Sequence, residues 1–270
     1  MSSRPPRNPL RLLTFARHCA FLILAGALAD AGATADYARE ERWAQEIVPS
    51  LVVGDVVYLA TVTRSRVLAI LTLPSGKPKG GVVVVHGLGV HPDWGLIGGL
   101  RTRLADAGFA TLSVQMPVLS ANATRGDYRE TLPEAGDRIA AAIAFLHAKD
   151  IAKIAIVSHS MGATMANVYL ARPNAYHVDA WIPVGMFATF AAPPREALLD
   201  ILAENDFTDV LAAAPRRASV LRKDGCSKQV TIEGADHYFD SRQPELAATI
   251  AMFLDRAFAG LCSMAVERQS

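Results

Sequence analysis

The chain has 270 residues, with 27 Lys and Arg against 26 Asp and Glu, a formal net charge of +1. Half of it is apolar (51%) and a fifth is charged (20%), which excludes a disordered tail, a collagen-like repeat and a disulfide-dense mini-protein. Near-neutral charge, without long Lys or Arg runs, also removes the electrostatic footprint of a nucleic-acid binder, so no nucleic-acid partner is expected.

The first residues read as a signal peptide over 1–35. Arg4, Arg7, Arg11 and Arg17 form a basic leader, an apolar stretch runs from Cys19 to Ala29, and Ala33-Thr34-Ala35 is a small-x-small cleavage pattern with Asp36 as the mature start. An apolar helix of that length covers about half of a bilayer core, so no stable membrane span is expected and the protein is expected to be exported, to the periplasm or beyond. Removal of the leader leaves Cys226 and Cys262. In an oxidising compartment the two are expected to bridge, worth about 4 kcal/mol in the chain-entropy model, with two buried free thiols as the alternative.

From residue 36 onward the sequence alternates short β-branched runs with helical patterns and reads as one domain over 36–270. Residues 51–61 and 66–73 suggest an opening antiparallel pair. The Val run at 80–85 has the pattern of a strand buried on both faces. Residues 94–108 suggest a helix with Asp93 as N-cap and Gly108 as its stop. A strand follows at 109–116, a helix at 132–149, a strand at 151–158, a helix at 161–172 and a strand at 178–184. Strands at 198–203 and 229–233 then flank a helix at 210–223, and a helix at 244–259 closes the chain. Such alternation forces mostly parallel strands with helices on both faces, and places active loops at the carboxyl ends of the strands.

Three strand ends carry the chemistry. In Ile156-Val157-Ser158-His159-Ser160-Met161-Gly162 a hydrophobic strand turns at once into a helix. Small residues two places either side of Ser160 permit a sharp turn that projects its hydroxyl above the sheet. Val85-His86-Gly87-Leu88-Gly89 ends the Val run, where the Leu88 N–H, together with the Met161 N–H, is placed to hold an oxyanion. His237 follows the last strand and Asp206 the one before it. Asp206 is expected to fix the tautomer of His237, and His237 to take the proton of Ser160; Glu204 and Asp209 are fallback acids.

Taken together, the chain from Ser158-His159-Ser160-Met161-Gly162 outward resembles the α/β-hydrolases, the elbow being similar to the Gly-His-Ser-Met-Gly of lipases and esterases, with Ser158 in place of the first Gly. The stretch Val85 to Trp94, with Leu100-Arg101 and Thr111 to Pro117, resembles a little-characterised bacterial family of exported α/β-hydrolase-like proteins. The resemblance implies an α/β fold with a mostly parallel central sheet, and Ser160, Asp206 and His237 as a catalytic triad.

His86, His91 and His159 are separated by loops and lack ligand spacing, so no metal and no cofactor are expected. Met161, Met186, Phe187, Phe190, Tyr238 and Phe239 fall in the active-face loops, as lining of an acyl pocket or as core. Only thirteen residues separate Val184 from Leu198, too few for a large helical lid, and residues 118–131 are the other candidate cover. The site is therefore expected to be open and suited to small or exposed esters. The leading expectation is a serine hydrolase cleaving carboxylic esters or a related acyl bond of a small molecule. An acyltransferase on the same triad, or a non-catalytic envelope binding or assembly protein, are the alternatives. Oligomeric state has no signal in the sequence.

Overall fold

The computed structural model describes Met1 and residues 35–262. The signal-peptide expectation, apart from Met1 and Ala35, lies outside the described residues. Eight strands form one sheet: β1 (Asp55–Leu59), β2 (Val67–Thr72), β3 (Gly81–Val85), β4 (Ala110–Val114), β5 (Ile154–His159), β6 (Ala180–Val184), β7 (Ala197–Asn205) and β8 (Lys228–Asp236). Their spatial order is β1-β2-β4-β3-β5-β6-β7-β8. β2 runs antiparallel to both β1 and β4, and every later pairing is parallel. Each expected strand is present, and helix-mediated crossovers account for the parallel run except between β6 and β7, which residues 185–196 join without a helix.

The Val run of β3 explains the layering. Val83 and Val85 enter a core beneath α3 (Leu132–His147) and α4 (Met161–Leu170). Val82 and Val84 enter the opposite core, beneath α2 (Gly95–Asp106) and α6 (Gln243–Phe258). Alternate side chains of one strand thus fill both cores, each contributing about 1.5–3 kcal/mol of burial. α5 (Thr208–Ala218) packs Val210 and Ala214 against Leu202. β3 also marks the place where strand order reverses, with β4 on one side and β5 on the other, which opens a crevice at their carboxyl ends.

Two features depart from the sequence reading. Residues 37–50, to which no element was assigned, form α1 (Tyr37–Ser50), capped by Asp36, whose Oδ1 accepts from the Arg39 N–H at 2.9 Å. Its Ala44 and Ile47 cover Leu68 and Ile70 of β2. Asp93, expected to cap α2, does not: Trp94 is the N-cap residue, and Asp93 Oδ1 accepts from Arg101 Nη2 at 2.5 Å. The reason is electrostatic, because Arg101 is almost fully buried and requires a counter-ion. Gly108 does end α2, with φ +101° just past the C-cap.

α1 is fastened by a buried charge pair. Arg138 on α3, without solvent exposure, donates from Nη1 to Glu40 Oε2 at 3.0 Å and to the Gln115 carbonyl at 2.9 Å, and from Nη2 to Glu134 Oε1 at 2.5 Å. Burial raises the Glu40 carboxyl pKa, and the Arg138 charge opposes that rise. A disulfide joins Cys226, in the turn before β8, to Cys262 beyond α6, closing a loop with a sequence separation of 36. None of the helices in the described residues is long and apolar enough to cross a membrane.

Removing Glu40 leaves Arg138 buried with Glu134 as its one remaining carboxylate. Glu40→Ala is expected to lower unfolding free energy by about 3 kcal/mol, read as a fall in the urea midpoint with an unchanged m-value.

Candidate active site

β5 ends at His159, and the chain reverses into α4 through Ser160, whose φ of 56° and ψ of −120° are a conformation L-residues rarely adopt. Such a backbone stores about 1–3 kcal/mol and must be held from outside. The Ser160 N–H donates to the Val184 carbonyl of β6 at 2.9 Å. On the helix side Gly162 lies against β3: a Cβ there would stand 2.6 Å from the Val85 carbonyl oxygen and closer still to that of His86. Only glycine fits. At the other flank, Ser158 replaces the glycine of the related pattern without collision. Its buried Oγ accepts from Trp181 Nε1 on β6 at 2.9 Å, so the hydroxyl is satisfied.

The loops after β7 and β8 deliver the other two groups. Asp206 and His237 are buried, and Asp206 Oδ1 lies 2.6 Å from His237 Nδ1. The carboxylate also accepts from the N–H groups of Phe207 at 2.9 Å and Ala203 at 3.2 Å. Because an ionised carboxylate can only accept, Nδ1 carries the hydrogen and Nε2 presents its lone pair. That lone pair faces Ser160 Oγ at 2.9 Å. Ser160, His237 and Asp206 therefore form one continuous hydrogen-bonded chain across three strand ends. Glu204 is turned away and accepts from the Gly234 N–H at 2.8 Å, while Asp209 pairs with Arg125 at 3.4 Å; neither meets His237.

Room for this chain depends on a residue the sequence reading did not single out. Gly185 follows β6 with φ +61°, and a Cβ there would stand 2.9 Å from His237 Cε1 and 3.4 Å from Asp206 Oδ2. Its loop is pinned by the fully buried pair of Arg217 and Asp200, 2.8 Å apart, with Arg217 Nη1 donating to the Met186 carbonyl at 2.7 Å. A lone glycine after a strand was the available signal.

Leu88 and Met161 line the same cavity as Ser160. Met161 is the first residue of α4, so its N–H has no intrahelical acceptor. The Leu88 N–H donates to no acceptor among the described residues. The loop that carries Leu88 is held by His86, which is fully buried. Its Nε2 accepts from the Met116 N–H at 2.8 Å, so Nδ1 donates to the Gly87 carbonyl at 2.8 Å. Burial lowers the His86 pKa to about 3, consistent with a neutral linker. His159 is likewise buried, with its pKa lowered to about 4 by burial and by His237, and its Nε2 donates to the His237 carbonyl at 2.8 Å. His91 Nδ1 accepts from the Asp93 N–H, and the ring lies beside Trp43.

The cavity measures about 200 Å³ and is partly open, and residues 185–196 form no helix above it. Met161, Phe187 and Tyr238 line it as foreseen, whereas Met186 and Phe239 are wholly buried core and Phe190 packs edge-on against Trp181. Trp94, Arg125 and Phe207 complete the wall and were not anticipated. The Phe207 ring lies tilted beside that of His237, with ring centroids 4.3 Å apart.

A family model described as a protein of unknown function (DUF3530) matches residues 38–136, which span α1 and the loop of Leu88 but stop before Ser160, Asp206 and His237. No curated protein matches the sequence. Among solved structures, a lid-less α/β serine hydrolase from Xanthomonas campestris aligns with a TM-score of 0.61 at 16% identity, covering 76% of this chain and 95% of that one. A dienelactone hydrolase from Anabaena variabilis aligns with a TM-score of 0.60 at 22% identity, over 75% and 98% of the two chains. Est1E from Butyrivibrio proteoclasticus gives 0.59 at 16% identity, over 76% and 99%. At such identities the likeness speaks to architecture, and it agrees with the strand order and with the helix-free stretch over 185–196: the chain has the α/β-hydrolase fold.

Proposed function

We propose that the protein is an exported serine hydrolase that cleaves small carboxylic esters, or a related acyl bond, through an acyl-serine intermediate. The observation that carries this reading is the unbroken contact from Asp206 through His237 to Ser160, at 2.6 and 2.9 Å. In the first half-reaction Ser160 Oγ attacks the acyl carbon while its proton passes to His237 Nε2. The negative charge gathers on the former carbonyl oxygen, where the N–H groups of Leu88 and Met161 receive it; one such donor is typically worth about 3–4 kcal/mol in the transition state. Collapse breaks the bond to the leaving alcohol, which takes the proton from His237 and departs. Water then attacks the acyl-Ser160 ester, giving its proton to His237, and the acid is released as Ser160 regains its hydrogen. Asp206 stabilises the imidazolium in both halves and holds its tautomer.

Ser158 argues against a fold that has lost its chemistry, since Trp181 accommodates its hydroxyl and leaves the turn at Ser160 undisturbed. A cavity of about 200 Å³ favours a short acyl group. Export is supported by the basic and apolar leader with its Ala33-Thr34-Ala35 box and by the Cys226–Cys262 disulfide, a bond that persists in oxidising compartments.

Two substitutions test the chemistry. Ser160→Ala is expected to reduce p-nitrophenyl acetate turnover at least about 10³-fold, and retained turnover would remove Ser160 from the mechanism. Gly185→Ala is expected to leave the fold intact by circular dichroism and lower kcat by about 10- to 100-fold, because the new methyl displaces the imidazole of His237. An unchanged kcat would show that the loop yields instead.

A further inference from the structure

The cavity around Ser160 does not end at Phe187. It shares Arg125, Met161 and Phe187 with a neighbouring cleft of about 300 Å³, which adds Arg129 and Thr164. Among the described residues, no carboxylate lines either space. From these observations we propose that the ester cleaved at Ser160 carries an anionic group, a carboxylate or a phosphate, bound in this cleft by Arg125 and Arg129. The proposal rests on the hydrolase reading and names its substrate class.

The two guanidinium groups differ from the arginines that the fold itself consumes. Arg101, Arg138 and Arg217 are buried against carboxylates, and Arg39 donates to the carbonyls of Leu119 and Gly89. Arg129, by contrast, has no hydrogen-bond or ion-pair partner for its side chain among the described residues. Arg125 lies over the Phe187 ring, 3.7 Å from its centroid, which supports one face of the guanidinium at the cavity rim. Its carboxylate partner is Asp209 at 3.4 Å, with side chains 47% and 69% exposed. A pair that exposed contributes little and yields readily to a better-placed anion. The turn carrying Arg125 is itself closed, because Asp127 Oδ2 accepts from the Thr124 N–H at 2.7 Å and from the Thr124 hydroxyl at 2.8 Å.

The planar fork of Arg matches two oxygens of a carboxylate or phosphate at once. With Phe187 and Met161 as an apolar floor between Ser160 and the arginines, a suitable ester has an apolar spacer between its scissile carbonyl and its charge. A neutral ester of the same length satisfies the floor and leaves the arginines to water.

Two measurements on the purified full chain test this. One is the ratio of kcat/KM for mono-p-nitrophenyl glutarate over p-nitrophenyl valerate at low salt. The other is calorimetric binding of glutarate and of inorganic phosphate, which needs no turnover. The ratio is expected to exceed about 10, as one well-placed charge contact implies. It should fall to near 1 in the Arg125→Gln/Arg129→Gln double variant and be unaltered in Arg66→Gln, a surface arginine stacked on Tyr58. Binding of at least one anion should require both cleft arginines, and the tighter of the two identifies carboxylate or phosphate. A ratio near 1 in the unsubstituted protein while valerate is cleaved, or a ratio the double variant keeps, overturns the anionic substrate and leaves the hydrolase standing. Arginine-dependent anion binding without cleavage of either ester supports the anion site and overturns the hydrolase reading. Neither cleavage nor binding overturns both.

Discussion

The molecule is organised around the contact between Gly162 and the end of β3. Because α4 begins against the carbonyls of Val85 and His86, the chain leaving β5 must turn within a single residue, and Ser160 takes up the positive φ that results. The turn cannot relax toward β3, where the backbone is already in contact, nor toward β6, where Val184 holds the Ser160 N–H. The Ser160 backbone is thus fixed from both sides, and its hydroxyl stands within hydrogen-bonding reach of His237 Nε2.

His237 and Asp206 are held with comparable economy. Asp206 is fixed by two N–H groups, His237 by Asp206 at one nitrogen and by His159 at its carbonyl, and the space for both by the missing side chain of Gly185. On the opposite wall, His86 Nε2 joins the loop after β3 to the one after β4 by accepting from the Met116 N–H, while its Nδ1 donates within its own loop to the Gly87 carbonyl. α1 adds an outer brace: Arg39 reaches the carbonyls of Gly89 and Leu119, and the Asp36 N–H donates to the Val118 carbonyl. The segment matched by the family model thus holds the loop that carries Leu88, while the three groups of the hydrogen-bonded chain come from the part beyond it.

Much of this was legible in the sequence. The Val run of β3, the Ser between small residues after β5, and His and Asp just past β8 and β7 each rest on local chemistry, so each can be read from a few neighbouring residues. What escaped depends on contacts distant in sequence. α1 carries Glu40 on its buried face, which weakens its apolar stripe, and only Arg138, far along the chain, makes that burial tolerable. Asp93 has the composition of a helix cap, and a buried Arg101 draws it away. Met186 and Phe239, which the sequence leaves open between pocket and core, point into the core, because a residue's side of a loop is set by the strands beneath it. Gly185 and Arg125 gain meaning only from what stands beside them in space.

The most direct test is covalent. A fluorophosphonate probe reacts only with a hydroxyl whose proton can be removed in place. Peptide mass spectrometry of the treated protein is predicted to find the adduct on Ser160 alone, and its rate of formation should fall by two orders of magnitude or more in His237→Ala. An unlabelled Ser160, or labelling that proceeds equally fast without His237, would contradict the reading of these three strand ends as a working nucleophile, base and acid.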